Sequence, residues 1–459
     1  MKFDVVVLGG GPGGYEAAIR CARYGLNTAL IEARDLGGTC LNRGCIPTKA
    51  LLHGAEVFQT VKASAVYGIK TGEVSLDFAK LAAHKDSVVS KLRGGIAALE
   101  KANGVTVIEG FGVLKRPDLI EVNGKEISAG KIILATGSAP MRPPIPGAAS
   151  PKVLTSDEVL TSAACPESLI IIGGGVIGLE FAGLFSALGK KVTVLEMMPA
   201  ILPGVDGEIS ARLIQVLQQK KVEIITGAKV AAIHDGDQVT VDYELGGSLK
   251  KASGECCVMS VGRRPMTADM GLEAVGIKTS KGYVDVDECL RTNIPNIYAI
   301  GDITGKVQLA HVASAQGLVA AANCAGQNKV MKYDIVPACV YTSPEIAWVG
   351  LTADEAEKRG RRVKVGRFNV AANGKAMVMG AGDGLVKLTA DAQTGEILGG
   401  QIMAPRATDM IAEIAALMKC EGTVDELADT IHPHPTISET IMETAHDVEG
   451  LCGNSMPRK

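Results

Sequence analysis

Two cysteines five positions apart, Cys40 and Cys45, have the residue type and spacing for thiol–disulfide chemistry. In an undistorted helix, Cα atoms five residues apart lie roughly 8–9 Å from each other, whereas a disulfide needs less than about 7 Å. A bridge therefore requires a bent segment, which Gly44 and Pro47 permit, and such a bridge is easier to reduce than a relaxed one. Lys49 shares a helical face with Cys45, and a nearby ammonium lowers the pKa of a thiol. The alternative is a pair of buried, unreactive thiols.

A second candidate for chemistry is the segment 432–439, which reads His-Pro-His-Pro-Thr-Ile-Ser-Glu. An imidazole can act as a base near neutral pH. A histidine between prolines is nevertheless more often part of a rigid surface turn. The segment alone does not decide between these two interpretations.

A glycine pattern that suits phosphate binding occurs twice, each time about twenty residues before an acid. The two sets are Gly9, Gly11, Gly14 and Glu32, then Gly173, Gly175, Gly178 and Glu196. In such a loop the first glycine makes a tight turn, the second admits a pyrophosphate and the third allows close helix packing. The following helix offers unpaired N–H groups to the phosphates, and the acid binds ribose hydroxyls. The sequence predicts two dinucleotides, and Glu196 without a neighbouring arginine favours NAD over NADP. The alternative is that the glycines only relieve crowding.

The elements that must position these residues can be read from apolar runs and turn residues. They are strands over 3–8, 28–32, 169–172 and 192–196, helices over 15–24, 48–66 and 77–102, and short strands within 104–136. Each glycine loop thus joins a strand to a helix in a βαβ unit. The proline-rich stretch 140–151 has the composition of a linker. The apolar window 169–188 resembles a membrane span, but Glu180 and its glycines favour a strand, turn and helix.

The composition excludes several classes of protein. The chain has 459 residues, 47% of them hydrophobic, which predicts several domains with ample core. A formal net charge of −3 gives no electrostatic reason to expect nucleic acid or an anionic membrane as a partner. Eleven cysteines, an odd number, argue against a disulfide-stapled secreted scaffold, and no secretory leader precedes the first strand. We expect a soluble protein of a reducing compartment, the cytoplasm.

The segment 37–49, Gly-Gly-Thr-Cys-Leu-Asn-Arg-Gly-Cys-Ile-Pro-Thr-Lys, follows a glycine loop and resembles the flavin disulfide reductases, the class I pyridine nucleotide-disulfide oxidoreductases. The resemblance runs from residue 3 to about 450 and is strongest to the branch that oxidises dihydrolipoamide. Five more motifs carry it: Ala-Thr-Gly-Ser at 135–138, Val-Gly-Arg-Arg-Pro at 261–265, Tyr-Ala-Ile-Gly-Asp at 298–302, Gln-Leu-Ala-His at 308–311 and Tyr-Thr-Ser-Pro-Glu at 341–345.

The resemblance implies an α/β fold with two Rossmann-like dinucleotide-binding domains and an α+β C-terminal dimerisation domain. The implied domains are an FAD-binding domain at 1–145 and 266–335, an NAD-binding domain at 146–265 and an interface domain at 336–459. The implied FAD-binding residues are Gly9, Gly11, Gly14, Glu32, Lys49, Gly112, Thr136, Gly137, Ser138, Gly301, Asp302, Gln308, Leu309, Ala310 and His311. Those for NAD are Gly173, Gly175, Gly178, Glu196, Val230 and Gly262. No spacing of metal ligands is present.

The resemblance also implies a reaction. A thiol of dihydrolipoamide, carried on an acyltransferase or carrier protein, loses its proton to His434, which Glu439 orients. The thiolate attacks Cys40 and releases Cys45, and the electrons pass through FAD to NAD. In the family the base and the disulfide come from different subunits, so the resemblance implies a homodimer with a shared active site.

The remaining candidates have weaker claims. Lys49 and Glu180 are implied to pair near the flavin ring, although an acid in the first turns of a helix is also explained by the helix dipole. His432 is a weaker candidate for the base than His434. The other histidines that we assign to structural or solvent-facing positions are His53, His84, His234 and His446.

Two other functions stay open. The chain could be an NAD(P)H-dependent reductase of another disulfide, such as glutathione, or of mercuric ion. Glu196 disfavours NADP, and Cys452 lacks the neighbouring cysteine that mercuric reductases and large thioredoxin reductases use. The chain could also be a flavoprotein that mainly docks other enzymes, but docking requires neither the cysteine pair nor the histidine.

Overall fold

The computed structural model describes residues 1–456, which form two compact units. The first unit comprises Met1–Pro143, Leu154–Cys165 and Val261–Lys332. The second comprises Pro144–Val153, Pro166–Ser260 and the described part of Tyr333–Lys459. The domain boundaries at 145, 265 and 335 remain predictions.

A seven-stranded sheet forms the centre of the first unit. Five strands are parallel, in the order Thr106–Glu109, Thr28–Glu32, Lys2–Leu8, Lys125–Leu134 and Ile297–Ala299. Leu119–Val122 also pairs with Lys125–Leu134, in antiparallel orientation, and Gly112–Arg116 pairs antiparallel with Leu119–Val122. Val5 and Val7 pack into one apolar core and Val6 and Leu8 into another. Both faces are therefore covered, as expected for a continuous apolar run.

The helices of the first unit include the three that the sequence predicts. The helices are Pro12–Arg23, Gly38–Arg43, Cys45–Ala63, Phe78–Ala102, Ser156–Thr161, Leu272–Val275 and Ala310–Cys324, with 3-10 turns at Ser64–Tyr67 and Gly301–Thr304. Short antiparallel strands pair Ser138–Pro140 with Arg263–Pro265 and Thr279–Ser280 with Tyr283–Val284. The first helix begins at Pro12, three residues before the predicted start, because proline suits the first helical position.

The second unit contains a second parallel sheet. Its strands run in the order Val222–Thr226, Lys191–Glu196, Ser168–Ile172 and Cys256–Met259, with the two-residue strand Val153–Leu154 at the edge. Helices Val176–Ala187 and Gly207–Gln219 accompany it, and Lys229–His234, Val239–Leu245 and Ser248–Gly254 form an antiparallel meander. The window 169–188 is thus a strand, a glycine loop and a helix, as predicted. No helix within residues 1–456 is long and apolar enough to cross a membrane.

The C-terminal part of the second unit is a five-stranded antiparallel sheet covered by helices, which confirms the predicted α+β character. Its strands follow the order Ala338–Val340, Glu345–Gly350, Ile397–Ala404, Leu385–Asp391 and Val363–Asn369. Its helices are Ala353–Lys358, Gly374–Val378, Ala407–Lys419, Val424–Asp429 and Glu439–Val448, with a 3-10 turn at Val370–Ala372. The core includes Ile402, Ile414 and Ile441, all fully buried. It supports the segment between the last two helices, which carries both candidate histidines.

Candidate active site

The first glycine loop is shaped by the absence of side chains. Gly9 has φ +106°, and a Cβ there would overlap the carbonyl oxygen of Ala135. A Cβ on Gly14 would overlap the carbonyl oxygen of Gly9. Gly11, in contrast, leaves open space, since its nearest neighbour would lie 4.0 Å from an added Cβ. These are the turn, close packing and open approach that a dinucleotide loop requires.

The second glycine loop repeats this geometry in the second unit. Gly173 has φ +110°, and a Cβ on Gly178 would overlap the carbonyl oxygen of Gly173. Gly175 again has open space around it. The helices that follow the two loops are both capped by a glycine, Gly11 and Gly175, so no side chain caps either N-terminus. Both N-termini therefore offer backbone N–H groups to a phosphate.

The acid after each βαβ unit is held by the loop before it. Glu32 Oε2 accepts a hydrogen bond from Gly10 N–H at 2.6 Å, and Glu196 Oε2 accepts one from Gly174 N–H at 2.6 Å. The other oxygen of Glu196 accepts from Met198 N–H at 2.6 Å. The two carboxylates predicted to bind ribose are thus fixed in equivalent orientations.

A polar network joins two of the motifs that the resemblance assigns to FAD. Ser138 donates to Asp302 Oδ2 at 2.5 Å, and Arg263 Nε donates to Ser138 Oγ at 2.7 Å. Gly301, with φ +72°, donates its N–H to Gln316 Oε1 at 2.5 Å. Arg263 and Gln316 are not among the site residues predicted from the sequence. Arg263 lies within a motif that we assigned to the exit from the NAD domain, and Gln316 gave no signal in an apolar helix.

The structure also places the other predicted cofactor residues. Thr136 donates to the carbonyl oxygen of Met266 at 2.7 Å. Gly137 and Gly262 have positive φ. Leu309 precedes helix Ala310–Cys324, and Gln308 and His311 are exposed.

Two further predicted residues lie away from these motifs. Gly112 has a packing role, since a Cβ there would lie 2.6 Å from Leu8 Cδ2. Val230 is half-buried in the meander of the second unit, whereas Gly262 lies in the first unit. Their contacts with cofactors remain predictions.

The chain bends between the two cysteines, as their spacing predicts. Helix Gly38–Arg43 ends at Gly44, and the next helix begins at Cys45. A Cβ on Gly44 would lie 2.9 Å from the carbonyl oxygen of Thr39 and 3.3 Å from Cys40 Cα. Because Gly44 has no side chain, the helical turn that contains Cys40 can come close to the first turn of the helix that begins at Cys45. Pro47 is inside the second helix, so the bend is at Gly44 alone.

The two thiols interact directly. Both cysteines are in the reduced thiol form, and Cys40 is half-buried whereas Cys45 is exposed. A hydrogen bond with Cys45, together with burial, raises the pKa of the Cys40 thiol well above its usual range. Cys40 therefore keeps its proton, and the first negative charge of the pair falls on Cys45. Lys49 lies one turn further along the same helix.

Glu180 is a buried acid in the second unit, 3% exposed. Its Oε1 accepts a hydrogen bond from the backbone N–H of Tyr341 at 3.1 Å. Tyr341 opens one of the motifs that carry the resemblance. Lys49 belongs to the first unit, so the pairing of Lys49 with Glu180 remains a prediction.

His434 and Glu439 form the predicted pair. His434 Nδ1 lies 2.8 Å from Glu439 Oε1, and Thr436 N–H donates to Glu439 Oε2 at 2.7 Å. Burial alone would raise the pKa of Glu439, but the hydrogen bonds from Thr436 and His434 outweigh it and lower the pKa. The imidazole is 79% exposed, beside an ionised carboxylate that orients it. This is the geometry of a base that a solvent-borne thiol can reach.

The other histidines are placed differently. His432 is 4% exposed, and both of its ring nitrogens have partners, Glu413 and the carbonyl oxygen of Thr430. Exposed His53 and His234 each pair with an acid, His84 is exposed, and His446 is half-buried. Of the two histidines in the segment 432–439, only His434 has the exposure that a base requires.

The sequence also matches a family of proteins that carry out disulfide redox chemistry. Residues 3–317 match the family model described as pyridine nucleotide-disulphide oxidoreductase, and residues 336–445 match its dimerisation domain. The chain is 43% identical to a dihydrolipoyl dehydrogenase of Bacillus subtilis, over 98% of both chains. It is also 43% identical to that of Thermus scotoductus, over 96% of both.

Solved structures of flavoprotein disulfide reductases have the same fold. The HOCl-induced reductase RclA of Escherichia coli superimposes with a TM-score of 0.88 at 31% identity, covering 96% of this chain and 99% of that one. LpdA of Mycobacterium tuberculosis gives 0.89 at 29% identity, covering 97% and 99%. The resemblance seen in the sequence is confirmed over nearly the whole chain. The chain belongs to the pyridine nucleotide-disulphide oxidoreductase family.

Proposed function

We propose that this chain is a dihydrolipoyl dehydrogenase, which oxidises protein-bound dihydrolipoamide to lipoamide and transfers the two electrons through a Cys40–Cys45 disulfide and FAD to NAD. The observation that carries the proposal is the contact between Cys40 and Cys45 across the bend at Gly44. The 43% identity to the dihydrolipoyl dehydrogenase of Bacillus subtilis supports the choice of substrate.

The residues present fit both cofactors. For FAD, the open face at Gly11, the fixed carboxylate of Glu32 and the Ser138–Asp302 network would hold the pyrophosphate, ribose and ribityl groups. For NAD, Gly175 and Glu196 offer the same arrangement. When bound, FAD supplies a two-electron acceptor for the dithiol, and NAD supplies the final hydride acceptor.

The residues of the chain carry out the thiol chemistry. His434 accepts a proton from the first substrate thiol, and Glu439 stabilises the resulting imidazolium. The substrate thiolate then attacks Cys40 of the disulfide, the Cys40–Cys45 bond breaks, and Cys45 leaves as a thiolate. Attack by the second substrate thiol on the mixed disulfide releases cyclic lipoamide and leaves Cys40 as a thiol. The raised pKa of Cys40 suits this outcome, because it retains the proton there.

The dimerisation domain at 336–445 supports a homodimer. We assign the base and the disulfide of one active site to different copies of the chain, so that His434 of one copy serves Cys40 of the other. The substrate is the lipoyl group of an acyltransferase or carrier protein. Eleven cysteines, an odd number, fit a compartment that keeps thiols reduced, which supports a cytoplasmic location.

A steady-state assay of the purified holoenzyme tests the proposal. We expect dihydrolipoamide to be oxidised by NAD, with Cys45→Ser at least a thousandfold slower because the disulfide is lost. Glutathione disulfide with NADPH and mercuric ion with either nicotinamide serve as competing substrates. Faster turnover of either of these would favour the other reductases, and full turnover by Cys45→Ser would refute the thiol relay.

A further inference from the structure

The first histidine of the His-Pro-His-Pro segment, His432, has no role in the proposed reaction. Its ring nevertheless has two hydrogen-bond partners, whereas one is seen for the ring of His434. His432 Nε2 lies 2.7 Å from Glu413 Oε1, and Nδ1 lies 2.9 Å from the carbonyl oxygen of Thr430. The side chain is 4% exposed, and that of Glu413 is 32% exposed. A polar ring this deeply buried costs free energy unless both nitrogens are satisfied.

The two partners hold this ring from both sides. Nε2 faces a carboxylate oxygen on a helix, and Nδ1 faces a backbone carbonyl oxygen two residues earlier in the chain. With a partner at each nitrogen, the ring can neither rotate nor flip without losing a contact. His432 is therefore fixed in one orientation.

The His432–Glu413 contact lies at one end of the segment that carries the base. Residues 430–438 form no helix or strand, so packing within a regular element does not fix His434. At the other end, Asn373 Nδ2 donates to the carbonyl oxygen of Thr436 at 3.0 Å. Because His434 itself is 79% exposed, its position depends on the anchors on either side.

We propose that His432 and Glu413 are positioning residues that hold the backbone of this segment so that His434 meets both Glu439 and the substrate thiol. The inference rests on the proposed function, since it assigns His432 to the same site. Glu413 lies on helix Ala407–Lys419, so its contact with His432 ties the irregular segment to a regular element. Displacement of a base by about 1 Å costs on the order of a hundredfold in rate.

The variant His432→Gln in the holoenzyme tests this role. We expect kcat for dihydrolipoamide oxidation to fall tenfold or more, with the KM for NAD unchanged. Oxidation of NADH by ferricyanide, which needs no proton transfer at His434, should stay at the wild-type rate. The matched control is His234→Gln, because His234 also pairs with an acid, Asp242 at 2.8 Å, on the meander of the second unit. It should change neither reaction.

Two further measurements keep the inference open to refutation. Glu413→Gln keeps the shape and an acceptor, and its loss of charge should lower kcat several-fold even if His432→Gln folds poorly. Nitrogen NMR of the imidazole rings should show a shifted Nδ1 signal of His434, the atom that faces Glu439, in both variants. Undiminished kcat in both variants, an equal loss in the ferricyanide reaction or an unchanged His434 signal would overturn the inference. Failure of the wild-type enzyme to oxidise dihydrolipoamide would instead refute the proposed function.

Discussion

Ser138 Oγ and Asp302 Oδ2 are joined by a hydrogen bond of 2.5 Å, although the two residues are 164 positions apart. The bond ties the turn after strand Lys125–Leu134 to the 3-10 turn after strand Ile297–Ala299, two parallel neighbours in one sheet. The carboxyl ends of such strands are where α/β sheets bind their ligands. The pair therefore fixes the aspartate that we assign to FAD.

We predict that Ser138→Ala weakens FAD retention about fivefold or more, because a hydrogen bond to a charged group contributes about 1.5–3 kcal/mol. Flavin released on dilution, followed by its fluorescence, measures the effect. The matched control is Ser280→Ala, which removes a serine–aspartate bond of 2.9 Å to Asp285 on an exposed hairpin. Equal flavin loss in both variants would contradict the assignment.

Gly44→Ala should impair the cysteine pair without removing the flavin. A Cβ 2.9 Å from the carbonyl oxygen of Thr39 forces the two helical segments apart, so we expect at least a tenfold lower kcat with dihydrolipoamide and slower reoxidation of the dithiol. Stopped-flow absorbance and flavin content measure both properties. Gly94→Ala is the control, since a Cβ at Gly94 in helix Phe78–Ala102 meets nothing within 4 Å. Normal reoxidation in Gly44→Ala would show that the bend is dispensable.

Glu439→Gln should reduce kcat for dihydrolipoamide roughly 10–100-fold, because the neutral amide no longer stabilises an imidazolium at His434. The ferricyanide reaction should be unaffected. Asp242→Asn, which neutralises the acid paired with His234, is the control and should leave both rates unchanged. A wild-type rate in Glu439→Gln would remove Glu439 from the mechanism.

We predict that Glu100 lowers the stability of the protein as pH rises from about 4.5 to about 8. It is fully buried, neither carboxyl oxygen has a hydrogen-bond partner within residues 1–456, and burial raises its pKa to about 8. Below the ordinary glutamate pKa the group is protonated in both states, so it imposes no penalty there. Between that value and about 8 only the unfolded chain ionises, so the free energy of unfolding falls as pH rises.

Glu100→Gln should remove this pH dependence. Its stability advantage over the wild type should grow by up to about 3 kcal/mol between pH 6 and pH 9. Calorimetric Tm values at both pH values measure it. Glu56→Gln, at a side chain that is 74% exposed, should show no such trend. A pH-independent difference for Glu100→Gln would mean that the carboxyl does not titrate in this range.

The sequence predicted those features that depend on local pattern. The strand–loop–helix order around Gly9 and Gly173 follows from apolar runs and glycine spacing, and the bend between Cys40 and Cys45 follows from the length limit of a disulfide. Arg263 escaped prediction because its partner Ser138 is 125 positions away in the sequence. Gln316 escaped prediction because nothing in the pattern of an apolar helix shows that its side chain accepts from Gly301. No local pattern distinguishes a buried Glu100 from the exposed acids of an amphipathic helix.

The histidine segment 432–439 also combines a feature that the sequence predicts with one that depends on the tertiary fold. Residue type alone left His432 and His434 as alternatives, and the resemblance chose between them. What separates them physically is burial, 4% against 79% exposed, which depends on how helix Ala407–Lys419 packs beside the segment. That packing is a property of the tertiary fold, so the support given by Glu413 could not be read from the sequence.

The bond from each glycine loop to the acid beyond it, Gly10 to Glu32 and Gly174 to Glu196, has an entropic consequence. A glutamate side chain that is mobile in solvent loses rotamer entropy when it binds a ribose, which costs about 0.5–1.5 kcal/mol of binding free energy per side chain. Here both carboxylates are immobilised before any nucleotide arrives, so that loss is incurred on folding. For the ribose binding that we predict, the carboxylates of Glu32 and Glu196 are therefore oriented in advance in the same way.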